Sequence, residues 1–220
     1  MIKKVTVEGF NVENAYFYID DTTKHGFLID PGFEGDKLLQ IIEENNWIIE
    51  AILITHGHFD HIGEIERIRE KTNCKVYAGL KASMYLENPR YNLGYYYDKE
   101  IIINDYNTLK EGEKVCLEAN PDFYLRLMET PGHTADSVIY INDDENIAFV
   151  GDTIFKGTHG RTDLPGSSDE QMIESLKKIF TLDSKMILYP GHSDETIIEA
   201  EKDAFNGWHN INLMVKYSLE

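Results

Sequence analysis

Residues 55–61 read Thr-His-Gly-His-Phe-Asp-His and directly follow the apolar run Ala51-Ile52-Leu53-Ile54. Imidazole and carboxylate groups are ligands that zinc, iron and manganese accept in proteins. Because alternate residues of an extended chain face the same side, His56 and His58 can point at one metal ion. Asp60 and His61 follow where the chain leaves the strand, so they can address a second point nearby. The heptad therefore predicts half of a two-metal site behind a buried strand.

Three later segments also end apolar runs with a ligand-type residue beside glycine. They are Thr130-Pro131-Gly132-His133, Val150-Gly151-Asp152-Thr153 and Tyr189-Pro190-Gly191-His192. Glycine and proline at strand ends make tight turns, which bring one side chain out over the sheet edge. The complete set of candidate metal ligands is His56, His58, Asp60, His61, His133, Asp152 and His192. A structural zinc site uses four ligands, usually with cysteine, so this larger set predicts a catalytic site with open positions.

Length and charge limit the class of protein. The 220 residues are 42% hydrophobic, which predicts a single domain over residues 1–220 with a substantial core. The formal net charge is −18, from 39 acidic and 21 basic residues. Such a surface repels phosphate backbones and anionic lipid, so nucleic-acid and membrane partners are disfavoured and a small-molecule substrate is expected.

The N-terminal residues and the cysteines indicate a cytoplasmic location. The first eight residues lack the apolar core of a signal peptide. No stretch approaches the roughly 18 apolar residues that a membrane span needs. Cys74 and Cys116 have no partner at metal-binding or redox spacing, so both are predicted to be buried free thiols in a reducing compartment.

The periodicity of apolar residues predicts more strands than helices. Strands are predicted at 2–8, 14–20, 25–30, 49–54, 75–78, 114–118, 123–129, 136–142, 146–150 and 185–188. Helices are predicted at 35–45, around Ile62 to Ile68, from a capping box at Ser168 and Gln171 to about Phe180, and from near Asp194. Residues 80–112 are expected to be irregular. Helices that come between groups of strands favour an α+β fold whose sheets are covered by helices on their outer faces.

These motifs resemble the metallo-β-lactamase superfamily, whose signature His-x-His-x-Asp-His is His56-Gly57-His58-Phe59-Asp60-His61 in this chain. The later family motifs match at His133, Asp152 and His192. The resemblance implies a four-layer αββα sandwich with the metals at one edge of the two sheets. It also implies that His56, His58 and His133 hold one metal, that Asp60, His61 and His192 hold the other, and that Asp152 bridges them.

Within this superfamily the chain is most similar to the glyoxalase II-like branch. The similar segments are Asp30-Pro31-Gly32, Tyr77-Ala78-Gly79, Asn88-Pro89 with Asn92-Leu93, and Gly160-Arg161-Thr162-Asp163. Two departures concern glutathione. Only 28 residues follow His192, too few for the C-terminal helical region that helps glyoxalase II bind glutathione. The branch often has Gly-His-Gly followed by two threonines, where this chain has Gly191-His192-Ser193 and only Thr196.

The resemblance implies a metal-dependent hydrolase that cleaves a small acyl thioester, of the hydroxyacylglutathione type, with a metal-bridging hydroxide. Two divalent ions are expected, zinc first, with iron or manganese as alternatives. Asp60 is the candidate catalytic residue because it can orient the nucleophile as well as bind metal. One alternative is a persulfide dioxygenase with a single iron held by His56, His58 or their neighbours, His133 and Asp152. A lactonase is a second alternative, and a metal-binding fold without activity is the least favoured.

Three further residues are candidates for substrate binding. Arg161 can anchor a substrate or form a loop-bracing ion pair with Asp163, and the ion pair is favoured. Lys156 can meet an anionic substrate or remain solvated. Tyr95 belongs to the tyrosine-rich segment 91–97, which can cover the pocket or pack locally. Residues 201–217 are expected either to close the fold or to form an interface such as that of a homodimer.

Overall fold

The computed structural model describes residues 1–205 of the chain, and its strands form two six-stranded sheets and one small hairpin. The first sheet has the order β1 (Ile2–Glu8), β2 (Val12–Ile19), β3 (His25–Ile29), β4 (Ile48–Leu53), β5 (Lys75–Gly79) and β6 (Asn107–Leu109). The second contains β7 (Lys114–Cys116), β8 (Tyr124–Glu129), β9 (Val138–Asn142), β10 (Ile147–Gly151), β13 (Ile187–Pro190) and β14 (Thr196–Ile197). Its spatial order is β14-β13-β10-β9-β8-β7. The hairpin pairs β11 (Ile154–Phe155) with β12 (Thr158–His159).

Helices lie between the strands. They are α1 (Gly35–Asn45), α2 (Phe59–Ile62), α3 (Ile65–Thr72), α4 (Ser83–Leu86) and α5 (Asp169–Ile179), with a 3-10 turn at Gly94–Tyr97. Residues 198–205 are also helical. The Ser168 side chain accepts a hydrogen bond from the Gln171 backbone N–H and so caps α5, because the first turn of a helix leaves its N–H groups unpaired.

Three separate hydrophobic cores define four layers. On β2, Phe17 packs with Leu38 of α1 and Ile68 of α3, whereas the neighbouring Tyr18 packs against residues of the second sheet. On β9, Ile139 packs with residues of α5 such as Leu176. Successive side chains of a strand face opposite sides, so each sheet buries one face against helices and the other against its partner sheet. This arrangement is the predicted αββα sandwich.

Most of the predicted elements are confirmed, and the elements that were not predicted are short. The missed strands β6, β11, β12 and β14 have two or three residues each, too few for a recognisable periodicity. The segment 80–112, expected to be irregular, contains β6 and the four-residue helix α4, which is also too short to show a helical repeat. The helix expected near Asp194 begins at 198 because the chain first adds β14 to the sheet edge.

The prediction that both cysteines are buried is wrong for one of them. Cys74 is buried, whereas Cys116, on β7 at the edge of the second sheet, is exposed. Within residues 1–205, no helix is long and apolar enough to span a bilayer. Most of the segment 201–217, including the expected interface residues from Trp208 onward, lies outside the described residues.

Candidate metal centre

The candidate ligands come from strand ends that meet at one edge of the sandwich. In the second sheet, β10 runs parallel to β13 and antiparallel to β9, which in turn runs antiparallel to β8. The carboxyl ends of β8, β10 and β13 therefore lie at the same edge, and the loops that follow them contain His133, Asp152 and His192. The first sheet joins this edge after β4, where the Val138 N–H donates to the Thr55 carbonyl at 2.8 Å.

Two glycines allow these loops to approach closely. Gly151 has φ of +47°, and a Cβ there would lie 2.2 Å from the Thr55 hydroxyl oxygen. A Cβ at Gly191 would lie 2.5 Å from Asp152 Oδ1 and 2.6 Å from His61 Cε1. A side chain at Gly151 would thus displace Thr55, and one at Gly191 would displace the candidate ligands Asp152 and His61. The Gly-Asp and Gly-His pairs of the sequence are explained by this crowding.

His56, His58 and His133 form the first ligand set. His56 Nε2 lies 3.1 Å from His58 Nδ1, and His133 Nε2 lies 3.0 Å from the same atom. All three side chains are buried. Their ligand atoms lie within 4.8 Å of one another, close enough to hold one metal ion.

Asp60, His61 and His192 form the second ligand set, and their ligand atoms also lie within 4.8 Å of one another. His192 Nε2 lies 3.6 Å and His61 Nε2 lies 4.0 Å from Asp60 Oδ2. Asp152 lies between the two sets. Its Oδ1 is 3.5 Å from His61 Nε2, and its Oδ2 is 3.5 Å from both His133 Nε2 and His192 Nε2. The structure thus brings together all seven ligands proposed from the sequence.

For four imidazoles, the hydrogen-bond partners show that the proton is on Nδ1. His133 Nδ1 donates to the Arg161 carbonyl at 2.8 Å, and His192 Nδ1 donates to the Val12 carbonyl at 2.6 Å. His61 Nδ1 donates to Asp30 Oδ2 at 3.1 Å. Thr55 uses its hydroxyl proton on Asp30, so it accepts from His56 Nδ1 at 3.3 Å. In its neutral form, each of these rings therefore presents a bare Nε2 lone pair to the centre.

This convergence of lone pairs fits a bound cation. Bare imidazole nitrogens and carboxylate oxygens repel one another at these separations unless a positive charge lies between them. Among the described residues, His61 Nε2 and Asp152 Oδ1 are buried with no hydrogen-bond partner, although they face each other. Buried polar atoms without partners are costly, and a metal ion would satisfy both. The donor set of nitrogen and oxygen suits zinc, iron or manganese.

Burial and neighbouring charges shift the pKa values of the candidate ligands in different directions. Burial lowers the pKa of His56 and of His58 well below the usual imidazole value, so both are neutral and can bind metal. Burial also acts to lower the pKa of His61, but Asp152, Asp60 and Asp30 outweigh it and the net pKa is raised. Burial acts to raise the pKa of Asp60, yet His61 and the hydrogen bond from His192 lower it on balance. Asp60 is therefore an anion.

A second layer of side chains supports the second ligand set. Asp30 accepts from the Thr55 backbone N–H at 2.8 Å and from the Thr55 hydroxyl, as well as from His61. The Asn11 amide donates to Asp60 Oδ2 at 2.5 Å. Glu13 is fully buried with an oxygen 3.9 Å from His61 Nδ1, and burial raises its pKa well above the usual carboxyl value. Asn11 and Glu13 were not predicted from the sequence, because a polar residue near a strand start has no distinctive motif.

The centre lies at the floor of a cleft of about 900 Å³ that is partly open to solvent. His58, Asp60, His133, Asp152 and His192 line it, together with Phe10, Asn11, Phe59, Leu93, Tyr97, Phe155, Gly160, Arg161 and Leu164. A small molecule can therefore reach the ligand atoms directly.

The three residues proposed to bind substrate are placed differently. Arg161 lines the cleft, but its guanidinium forms two hydrogen bonds to Asp163, at 2.6 and 2.7 Å. The Lys156 ammonium lies 3.8 Å from an Asp194 carboxylate oxygen, on a side chain that does not line the cleft. Tyr95 packs against the Arg90 guanidinium, 4.1 Å from its ring centroid, and lines a separate depression. Of the tyrosines in the segment 91–97, Tyr97 lines the cleft.

Comparison with known proteins identifies the class to which this site belongs. The model of the metallo-β-lactamase superfamily matches residues 9–192. The chain belongs to this superfamily. It is 37% identical over 192 residues to a probable metallo-hydrolase, YqgX, of Bacillus subtilis, covering 86% of this chain and 89% of that protein. It is 30% identical over 175 residues to the hydroxyacylglutathione hydrolase GloC of Haemophilus influenzae, covering 76% of this chain and 80% of GloC. The predicted superfamily and its glyoxalase II-like branch are confirmed.

Solved structures agree with the fold. The BLEG-1 B3 metallo-β-lactamase is similar with a TM-score of 0.84 and 30% identity, covering 92% of this chain and 97% of that one. TTHA1623 in a di-iron-bound form is similar with a TM-score of 0.81 and 30% identity, covering 91% and 96% of the two chains. ETHE1 from Myxococcus xanthus is similar with a TM-score of 0.72 and 26% identity, covering 92% and 81%. The chain is thus a metal-binding member of a hydrolase superfamily.

Proposed function

We propose that this protein hydrolyses a small acyl thioester at a pair of divalent metal ions. The observation that supports this proposal is the convergence of seven ligand side chains, with their lone pairs turned inward, on the floor of an open cleft. His56, His58 and His133 would hold one ion, Asp60, His61 and His192 the other, and Asp152 would contact both. The name of the similar GloC supports a hydroxyacyl thioester, and the di-iron form of TTHA1623 supports iron as well as zinc.

Two metal ions held by these residues would acidify a water molecule towards neutral pH and stabilise a developing oxyanion electrostatically. The protein itself contributes orientation. Asp60 is an anionic acceptor at the cleft floor, held by the Asn11 amide, and it would accept a hydrogen bond from the attacking water. The water oxygen bonds to the acyl carbon, the C–S bond breaks, and sulfur leaves with the electron pair. The water proton passes to solvent through the open side of the cleft.

The cleft also favours a thiolate over other leaving groups. Within residues 1–205, the ionisable side chains that line it outside the ligand set are Tyr97 and Arg161. Tyrosine and arginine are not residue types that serve as acids of near-neutral strength. A thiol has an ordinary pKa of about 8.5, so sulfur can depart without a proton from the protein. An amine leaving group would need such a proton.

The first experiment is metal content by mass spectrometry with thioester hydrolysis assayed on the same purified sample. About two metals per chain are expected, with release of thiol from S-lactoylglutathione or an acetyl thioester. Asp152→Ala should abolish turnover because Asp152 lies between both ligand sets, whereas Asp122→Ala, an exposed aspartate, serves as the control. One iron per chain, with oxygen uptake on a persulfide and no thiol release, would instead support the dioxygenase.

A further inference from the structure

One side of the cleft is built from three aromatic rings, Phe10, Phe59 and Tyr97, here called the aromatic patch. Phe59 and Tyr97 are stacked with ring centroids 4.8 Å apart. The Phe10 ring lies 3.9 Å from the Tyr97 ring and 6.3 Å from the Phe59 ring. Phe33 supports the patch from behind, with its ring edge-on to Phe59 at 6.1 Å. The three rings are therefore a continuous apolar surface beside the ligands.

The outermost ring is held in place although it faces solvent. Phe10 is 64% exposed, at the tip of the turn between β1 and β2. The next residue, Asn11, donates to Asp60, and the Val12 carbonyl accepts from His192. Because the turn is fixed to two candidate ligands, the ring of Phe10 has a defined position relative to the reacting atoms. Its exposed face is available to a bound molecule.

The cleft offers little to a charged substrate. Among the described residues that line it, Arg161 is the cation outside the ligand set, and both of its hydrogen bonds at 2.6 and 2.7 Å go to Asp163. The chain as a whole has a net charge of −18. A thiol with several carboxylates would meet no unpaired cation in this lining. Phe155 and Leu164 instead add apolar surface to the cleft.

We propose that the thioester substrate has an apolar acyl group, an aromatic ring or an aliphatic chain of similar size, that packs on the aromatic patch. Phe59 stands between the ligands His58 and Asp60 in the chain, so the patch begins beside the position of the reacting carbonyl. Of the two groups attached to that carbonyl, the sulfur side is the one that would carry the carboxylates of an anionic thiol, so the apolar patch is matched to the acyl side. This inference rests on the proposed thioester hydrolysis, and it names the substrate class.

The test is a series of N-acetylcysteamine thioesters with acetyl, butyryl, hexanoyl and phenylacetyl groups, because all four share one small, neutral leaving thiol. We expect kcat/KM to rise about threefold per added methylene, as for a partly buried chain. Phe10→Ala should lower kcat/KM about tenfold more for the phenylacetyl than for the acetyl substrate. Tyr96→Ala is the matched control, since Tyr96 is 59% exposed and does not line the cleft. S-lactoylglutathione should be a poorer substrate than the phenylacetyl thioester.

The outcomes separate this inference from the proposed function. Turnover of every acyl group at the same kcat/KM, or an equal loss for all of them in Phe10→Ala, would overturn the apolar acyl group and leave thioester hydrolysis intact. If protein with two metals bound turns over none of the thioesters, thioester hydrolysis as the proposed function is ruled out. In that case the binding of phenylacetate and acetate is compared by calorimetry. If phenylacetate binds more tightly than acetate and this difference is lost in Phe10→Ala, apolar packing on the aromatic patch is supported. Equal binding of the two anions would overturn it.

Discussion

The first and second ligand sets differ in what holds their side chains. In the first set, His56 is oriented by the adjacent Thr55 and His133 by the carbonyl of Arg161. In the second set, the partners of Asp60, His192 and His61 are Asn11, the carbonyl of Val12 and Asp30. All three partners lie within the first 30 residues. The second ligand set is therefore held by the N-terminal strands, whereas the first is held by Thr55, which itself donates to Asp30, and by the loop that contains Arg161.

The two sets also differ in charge. The first set consists of three imidazoles, two of which burial keeps neutral. The second contains the Asp60 carboxylate and lies against the Asp30 carboxylate, which is 3.1 Å from His61 Nδ1. Because the carboxylates stabilise protonated imidazole as well as a metal ion, protons and metals compete more strongly at the second set. The comparison predicts two positions with unequal affinity.

Removal of one ligand from each set should have the largest effect. His58 Nδ1 lies within 3.1 Å of both other ligand atoms of its set, so His58→Ala should lose the first metal and lower kcat/KM roughly a thousandfold. His192 is less buried, and His192→Ala should lose only the second metal. Metal content per chain and thioester turnover are measured for both. Loss of both metals from either variant would contradict independent sets.

Acidification should separate the two positions in the wild-type protein. The pKa of His61 is raised, and so is that of His192, because Asp152 and Asp60 outweigh burial; both rings therefore hold protons up to higher pH than usual. As pH falls from about 7 to 5, protons should displace the second metal first, while His56 and His58, with lowered pKa values, keep the first. Metal content after dialysis at each pH measures this. Simultaneous release of both metals would contradict the prediction.

Substitution of Asp30 tests the support for the second set. Asp30→Asn keeps the shape of the side chain but replaces the carboxylate oxygen that accepts the hydrogen bond from His61 Nδ1. The affinity for the second metal should therefore fall about 10- to 100-fold. Asparagine also tolerates the positive φ of 48° at this position. Asp20→Asn is the control. Asp20 is also a buried, hydrogen-bonded aspartate, but it follows the carboxyl end of β2. The candidate ligands contact the other end of β2, at Asn11 and Val12. Equal metal affinities in the two variants would argue against a role for Asp30.

The same contrast explains what the sequence could predict. The strands and the ligand-bearing turns follow from local periodicity and from glycine beside a ligand, both of which are visible along the chain, whereas the four-layer sandwich follows from the resemblance to the superfamily. The supporting contacts join residues distant in sequence, such as Asn11 with Asp60 and Val12 with His192, and no local pattern marks them. Tyr97 rather than Tyr95 lines the cleft for a similar reason. Which tyrosine of a short turn points inward depends on packing against Phe10 and Phe59.

Asn11→Ala should have a smaller effect than Asp30→Asn. The Asn11 amide is partly exposed, and water can replace its hydrogen bond to Asp60, so we expect about a tenfold loss of affinity for the second metal. Asn120→Ala is a matched control, because the Asn120 amide also donates to an aspartate, Asp20 Oδ2, at 3.1 Å. Competition with a chelator measures the affinities. An unchanged affinity would limit the role of Asn11 to substrate contacts.

Arg161→Ala should have the smallest effect and tests whether the first set is supported by the backbone alone. The contact to His133 Nδ1 comes from the Arg161 carbonyl, which alanine retains. The guanidinium is exposed and paired with Asp163, and exposed ion pairs contribute little. Affinity for the first metal and KM for an acetyl thioester should both stay at their wild-type values. A KM that rises only for S-lactoylglutathione would show that the side chain leaves Asp163 to bind a carboxylate of the substrate. The cleft would then contain one usable cation, and apolar packing on the aromatic patch would no longer be the sole basis of selectivity.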